Sequence, residues 1–122
     1  MALFVKLARK DELNRRLRRL PDAAQQHVRK AVEKSADELV DLAKVLAPKE
    51  TGELAKSIRP EVDPDGLSAR VGSDIRYAQF VEFGTQGRPA TPYLFPAYRA
   101  LRNRIRGRIG RAVKKATDQA RK

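Results

Sequence analysis

Residues 22–46 read DAAQQHVRKAVEKSADELVDLAKVL. Val28, Val32, Ser35, Leu39, Leu42 and Leu46 recur at intervals of three and four, which is the period of one face of an α-helix. Lys30, Glu33, Lys34, Asp37, Glu38 and Asp41 take the other faces. Asp22 has the chemistry of an N-cap and Gln25 stands three residues on, a capping-box-like pair. Pro48 follows the end of the pattern. A coiled coil would fit the same spacing, but about three heptads are short for one, so a long helix packed on a sheet is the preferred reading.

The sheet is found on either side of this helix. Upstream, Leu3, Phe4, Val5, Lys6, Leu7 and Ala8 read as a strand. Leu13, Leu17 and Leu20, separated by arginines, read as a short amphipathic helix that Pro21 closes. Downstream, residues 48–55 form a loop with one helical turn capped by Thr51. Ile58, Pro60 and Val62 alternate with polar neighbours, Pro64-Asp65-Gly66 is a turn, and Leu67, Ala69 and Val71 alternate again: a β-hairpin over 56–72. Pro60 cannot donate to a ladder, so its strand belongs at an edge.

Residues 77–92 are an aromatic segment followed by a loop. Tyr77, Phe80 and Val81 have helical spacing, and Phe80 to Phe83 would also suit a short strand; a short helix is preferred. Gly84, Gly87, Pro89 and Pro92 enforce the loop. From Pro92 or Tyr93 onward, Leu94, Tyr98, Leu101, Ile105, Ile109, Val113 and Ala116 form the apolar stripe of a basic C-terminal helix. Gly107 and Gly110 predict bending or fraying beyond 107. The expected fold is α+β in one domain over 1–122: a small, mainly antiparallel sheet packed against a long helix, with the basic helix beside it.

The composition bounds the function. There are 122 residues, 27 Lys and Arg, 15 Asp and Glu, one His and no Cys, a net charge of +12. Disulfides, thiolate metal sites and a Cys nucleophile are excluded, and the lone His27 excludes a multi-His metal site. The longest aliphatic or aromatic run, Ala2 to Val5, is four residues, against the roughly 20 that span a bilayer. No secretory signal is visible, so an intracellular protein without a membrane partner is expected. The charge is uneven: +5 over 1–20, −3 over 21–82 and +10 over 83–122. Such asymmetry suggests nucleic acid, an anionic membrane or an acidic protein surface, or else a solvated Arg-rich face.

No catalytic constellation is present: no GxSxG, Walker loop, HExxH or dinucleotide fingerprint. His27 reads as a surface residue of an amphipathic helix. Glu82 stands among aromatics, where a carboxylate needs an ion pair or a hydrogen bond to loop backbone. An enzyme is not expected, and neither is a cofactor. No zinc finger, recognition-helix signature or aromatic–basic sheet motif is present, so any nucleic-acid binding is expected to be non-specific.

Several motifs occur in order: Leu46-Ala47-Pro48, Thr51-Gly52-Glu53-Leu54, Ser57-Ile58, Val71-Gly72-Ser73, Tyr77-Ala78, Phe80-Val81-Glu82-Phe83-Gly84-Thr85, Pro89-Ala90 and Pro92-Tyr93-Leu94-Phe95-Pro96-Ala97. Over roughly residues 4–100 the chain resembles the small tail-component proteins of long-tailed double-stranded DNA phages, prophages and phage-derived gene-transfer particles, also called neck, head–tail joining or tail-completion proteins. The resemblance implies a structural virion role at the head-to-tail junction, in neck formation or in tail completion or termination. It implies a ring-shaped homo-oligomer. Its partners would be portal, adaptor or stopper proteins and tail-tube proteins. It also implies assembly in the cytoplasm of a bacterial host, then residence in the virion neck or tail.

Thr51, Gly52, Leu54, Tyr77, Phe80, Glu82, Phe83, Gly84, Thr85, Pro92 and Phe95 are the candidate interface or hinge residues. Phe80, Val81, Phe83, Tyr93 and Phe95 are expected to pack the hinge between loop and C-terminal helix, or in part to face a neighbouring subunit. The loops 48–56 and 84–92 are the candidate contacts with adjacent ring members. Arg99, Arg102, Arg104, Arg106, Arg108, Arg111, Lys114 and Lys115 are candidates for docking or DNA contact. Three readings of that helix stand: a channel lining, a dock for an acidic partner, or a solvated face. Docking is preferred, because a basic lining would hold phosphates and slow DNA transit. The alternative function is a non-specific nucleic-acid-binding protein that uses this helix.

Overall fold

The computed structural model describes residues 3–7, 11–50 and 52–121. Eight elements follow in chain order: β1 (Leu3–Leu7), α1 (Asp11–Arg18), α2 (Asp22–Leu46), α3 (Glu53–Ser57), β2 (Arg59–Val62), β3 (Ala69–Ser73), α4 (Ala78–Phe83) and α5 (Leu94–Ala120). The fold is α+β, as the alternation and helical periods predict. Ala8, expected to end the first strand, and Thr51, expected to cap a turn, lie outside the described residues.

The three strands form one antiparallel sheet in the order β1-β3-β2. Pro60 therefore lies on an edge strand, where its missing N–H breaks no inner ladder. Val5 pairs with Val71 and Leu7 with Ala69, and all four are buried on the face toward α2. On the other face Phe4 lies under two guanidinium groups, 4.2 Å from Arg70 and 5.6 Å from Arg59. Gly72 sits opposite Phe4, where a Cβ would come within 1.9 Å of the Leu3 carbonyl oxygen. The hairpin turn closes through Asp63 N–H to Ser68 O, 2.9 Å, and Gly66 N–H to Asp63 O, 2.8 Å. Gly66 has φ +73°, a conformation that favours glycine.

α2 packs against both the sheet and α5, which itself also touches β1, and this placement corrects its expected apolar face. Val28, Val32, Ser35 and Leu39 are buried as the stripe requires, but so are Ala24, Ala31, Ala36, Val40 and Ala43. Leu42 is only half-buried, and Leu46 is exposed at the helix end. A helix covered by two layers buries a wider arc than the stripe one partner would need. The alanines of α2, with Ala97, Ala112 and Ala116 of α5, let the two helices approach closely.

The expected capping box is absent. Pro21 is the N-cap, without a side-chain cap, and Asp22 lies inside the first turn, where it accepts from Arg29 at 2.8 Å. Gln25 instead reaches backward: its Nε2 donates to the carbonyls of Arg18, 3.1 Å, and Leu20, 2.8 Å. It thus satisfies the exposed carbonyls at the end of α1 rather than the donors at the start of α2. The fraying expected past Gly107 is also absent. α5 is helical through both glycines to Ala120, held by burial of Ala112 and Ala116 against α2 and by the contact of Gln119 with His27.

Candidate functional site

Glu82 organises the junction between α4 and α5. It is 3% exposed. Its Oε1 accepts from the N–H groups of Tyr93, 3.1 Å, and Leu94, 2.8 Å, and its Oε2 accepts from Phe95 N–H, 3.1 Å. The first turn of a helix leaves such donors without intrahelical partners, and the next residue, Pro96, carries no N–H at all. One carboxylate therefore satisfies the donors at the start of α5, where negative charge also meets the positive end of the helix dipole. This is the backbone partner that a carboxylate among aromatics requires. Tyr93 is fully buried beside it and donates its hydroxyl to Ala78 O, 3.3 Å; burial, then the charge of Glu82, pushes the phenol well above its ordinary pKa.

The loop between these helices is tied at both ends. Gly84 N–H reaches Phe80 O at 2.8 Å, Thr91 N–H reaches Val81 O at 2.8 Å, and Thr85 and Arg88 exchange a pair of bonds at 2.9 and 3.3 Å. Gly84 has φ +80° and ψ 173°, and a Cβ there would stand 2.8 Å from Ala90 N. Thr85 to Pro92 are all exposed, so the loop presents its side chains outward from a fixed backbone.

The structure divides the aromatic cluster. Tyr93 is in the core, and Val81 and Phe95 are half-buried. Phe80 is 45% exposed and Phe83 62%. With Ala78 and Glu82 turned inward, the remaining faces of the short α4 carry its phenylalanines to the surface. Phe83 leans on Phe95 with ring centroids 5.7 Å apart.

Beside this patch lies a groove of about 400 Å³, floored by buried Leu54 and walled by Pro48, Tyr77, Phe80, Val81 and Thr91. Arg88 and Glu50 approach to 3.9 Å across it. The two loops singled out in the sequence, 48–56 and 84–92, thus border one groove. Leu54, Tyr77, Phe80 and Thr85 line it; Glu82, Gly84 and Phe95 form the joint behind. Gly52, φ +72°, precedes α3, and Pro92 is exposed just ahead of α5.

The basic residues of α5 also separate by flank. Arg104 and Arg108 face α2 and pair with Glu38, Arg104 at 3.6 Å and Arg108 closer still; Arg108 also donates to Ser35 Oγ at 3.1 Å. The Arg108 hydrogen bond holds the Glu38 carboxyl below its ordinary pKa. Arg99, Arg102, Arg106, Arg111, Lys114 and Lys115 are exposed and pair with no carboxylate among the described residues. The Arg108–Ser35 partnership was missed in the sequence. Its signal was there: a serine inside the apolar stripe of α2 needs a polar partner.

Among the described residues no group of three His, Asp or Glu side chains is placed to hold a metal ion, and no helix is long and apolar enough to cross a membrane. The fold and its surface define a small α+β protein whose distinctive exposed features are an aromatic groove and a basic helix, both suited to macromolecular contact. The family described as "Bacteriophage HK97-gp10, putative tail-component" matches residues 11–84, from the start of α1 to the end of α4, and the chain belongs to that family of phage tail components. No curated protein and no solved structure matches the chain. The loop 85–92 and α5 lie beyond the matched segment.

Proposed function

We infer that this tail component acts at the head-to-tail junction of the particle, as a ring-forming subunit that completes or terminates the tail and joins it to the head. The observation that carries this reading is the exposure of Phe80 and Phe83 beside the groove between the loops 48–56 and 84–92. Such a contiguous aromatic surface on a small domain marks an interface. A surface of this kind that docks on a different patch of the next copy closes into a ring when the rotation closes. The role is assembly rather than catalysis. Its partners are further copies of the chain, a portal, adaptor or stopper protein and the tail tube. Assembly takes place in the bacterial cytoplasm and the product stays in the virion neck or tail.

Electron micrographs of particles made without the chain test the reading. Separate full heads and finished tails indicate joining; overlong tails indicate termination; normal particles overturn both. A second reading has its own observation, the six exposed cations of α5 that pair with no carboxylate among the described residues. They would bind duplex DNA without sequence preference, with affinity falling steeply as salt rises. Retention on DNA at low and high salt, alongside light scattering of the isolated chain, separates a DNA binder from an assembly subunit.

A further inference from the structure

Asn14 is 5% exposed, and its side-chain amide has no hydrogen-bond partner among the described residues. An amide that lines an opening and meets no partner among the described residues is available to a group bound there. The amide lines a groove of about 390 Å³ between α1 and α5. Leu13 and Leu17 form one wall, Tyr98, Ile109 and Val113 the other, over a floor that includes Leu67. The groove shares no residue with the aromatic groove of α4.

α1 is anchored through its C-terminal end. Leu17 is buried, Arg18 pairs with Asp65 at 2.7 Å, and Gln25 holds the carbonyls of Arg18 and Leu20. Leu13 and Asn14, one turn earlier, are left facing the opening.

The rim supplies the sign of the partner. Lys6, Arg102 and Arg106 line the groove, and none pairs with a carboxylate among the described residues. On the opposite flank of the same helix Arg104 and Arg108 are neutralised by Glu38. α5 thus spends its cations on α2 along one side and leaves them open beside an apolar trough along the other. Duplex DNA would satisfy the cations but has no apolar side chain for the trough.

We propose that the groove between α1 and α5 is a docking site for an apolar segment of another virion protein flanked by Asp or Glu. Its aliphatic or aromatic side chains fill the trough, its carboxylates pair with Lys6, Arg102 and Arg106, and one of its peptide or side-chain polar groups bonds to Asn14. That the partner is a virion protein rests on the tail-component assignment; the chemistry of the segment does not.

The test is selection of a displayed library of random peptides of about 12 residues, about 18 Å as a helix, on the folded full chain. The recovered sequences are expected to combine Leu, Ile, Phe or Met with flanking Asp or Glu. Their affinity for the exposed-site double variant Arg102→Glu/Arg106→Glu, and for Ile109→Glu, is expected to fall by about tenfold or more. Arg76→Gln, exposed and outside both grooves, is expected to bind them as the parent does. Recovery without acidic enrichment, no recovery at all, or equal binding to the double variant overturns the proposal. So does capture of anionic phosphatidylglycerol vesicles or duplex DNA in preference to acidic peptides. These outcomes leave the junction role standing, whereas normal particles made without the chain overturn that role and leave the peptide measurement intact.

Discussion

At position 82 one carboxylate accepts from three backbone N–H groups, two of them fully buried. Glu82→Ala leaves those donors without a partner and is expected to cost about 2–3 kcal/mol. Glu82→Gln keeps one acceptor oxygen and is expected to cost about 1 kcal/mol; urea unfolding of the two variants checks the order. Gly84 belongs to the same joint, with φ +80°, ψ 173° and Ala90 N at 2.8 Å from any Cβ. That backbone region is nearly closed to other residues, and Gly84→Ala is expected to lose about 1–3 kcal/mol in the same assay. Glu82 was readable as a carboxylate in need of a partner. That the partner is the first turn of α5 was not, because the residues are eleven to thirteen positions apart and meet only when the loop 84–92 folds back.

Between elements, the Arg108–Glu38–Ser35 cluster ties α5 to α2. Arg108→Met leaves the hydroxyl of Ser35, which is fully buried, without its donor, and is expected to destabilise by about 1–2 kcal/mol. The pairing with Arg108 holds Glu38 below its ordinary value of 4.5. The contribution is therefore whole above pH 4.5. As pH falls below that value the unfolded chain binds the proton first, and the stabilisation disappears as pH passes the lower folded value. Glu61 beside Arg70, and Asp74 beside Arg59, are lowered in the same direction and add to the acid limb. Denaturation midpoints across pH 7 to 3 are expected to fall below about pH 4.5, and to fall less in Glu38→Gln, which starts lower at neutral pH.

For the whole molecule, the question is which surface carries assembly. Phe83 is mostly exposed, so Phe83→Ala is expected to change stability by no more than about 1 kcal/mol. Folded variant protein that no longer enters particles supports an interface role for Phe83; a folded variant that enters particles as the parent does overturns it. The basic helix needs a different design. Ala112 and Ala116 are buried against α2, so deleting residues 107–122 strips the core and is expected to lower the thermal midpoint sharply. Arg111→Gln/Lys114→Gln/Lys115→Gln alters only exposed positions and is expected to leave stability within about 0.5 kcal/mol. That variant, in DNA retention and particle assembly, measures the charge alone.

Some of this was legible in the chain before any folding, because its causes are local. The 22–46 helix follows from the spacing of its apolar residues, the hairpin from alternation around Pro64-Asp65-Gly66, the edge position of β2 from Pro60, and the loop 84–92 from two glycines and two prolines. The ordered motifs pointed to the tail-component family, which the match over residues 11–84 shows. Other features needed neighbours brought from far along the chain. α2 buries a wider face because it meets both the sheet and α5. Gln25 serves the end of α1 instead of a capping box because Pro21 turns one helix back toward the next. α4 has six residues, too few for periodicity to tell inward Glu82 from outward Phe80 and Phe83. The +12 charge was plain in the composition. Only the placement of Glu38 against one flank of α5 decided which arginines are already neutralised and which remain open to a partner, because ion pairing depends on distance in space and not on distance along the chain.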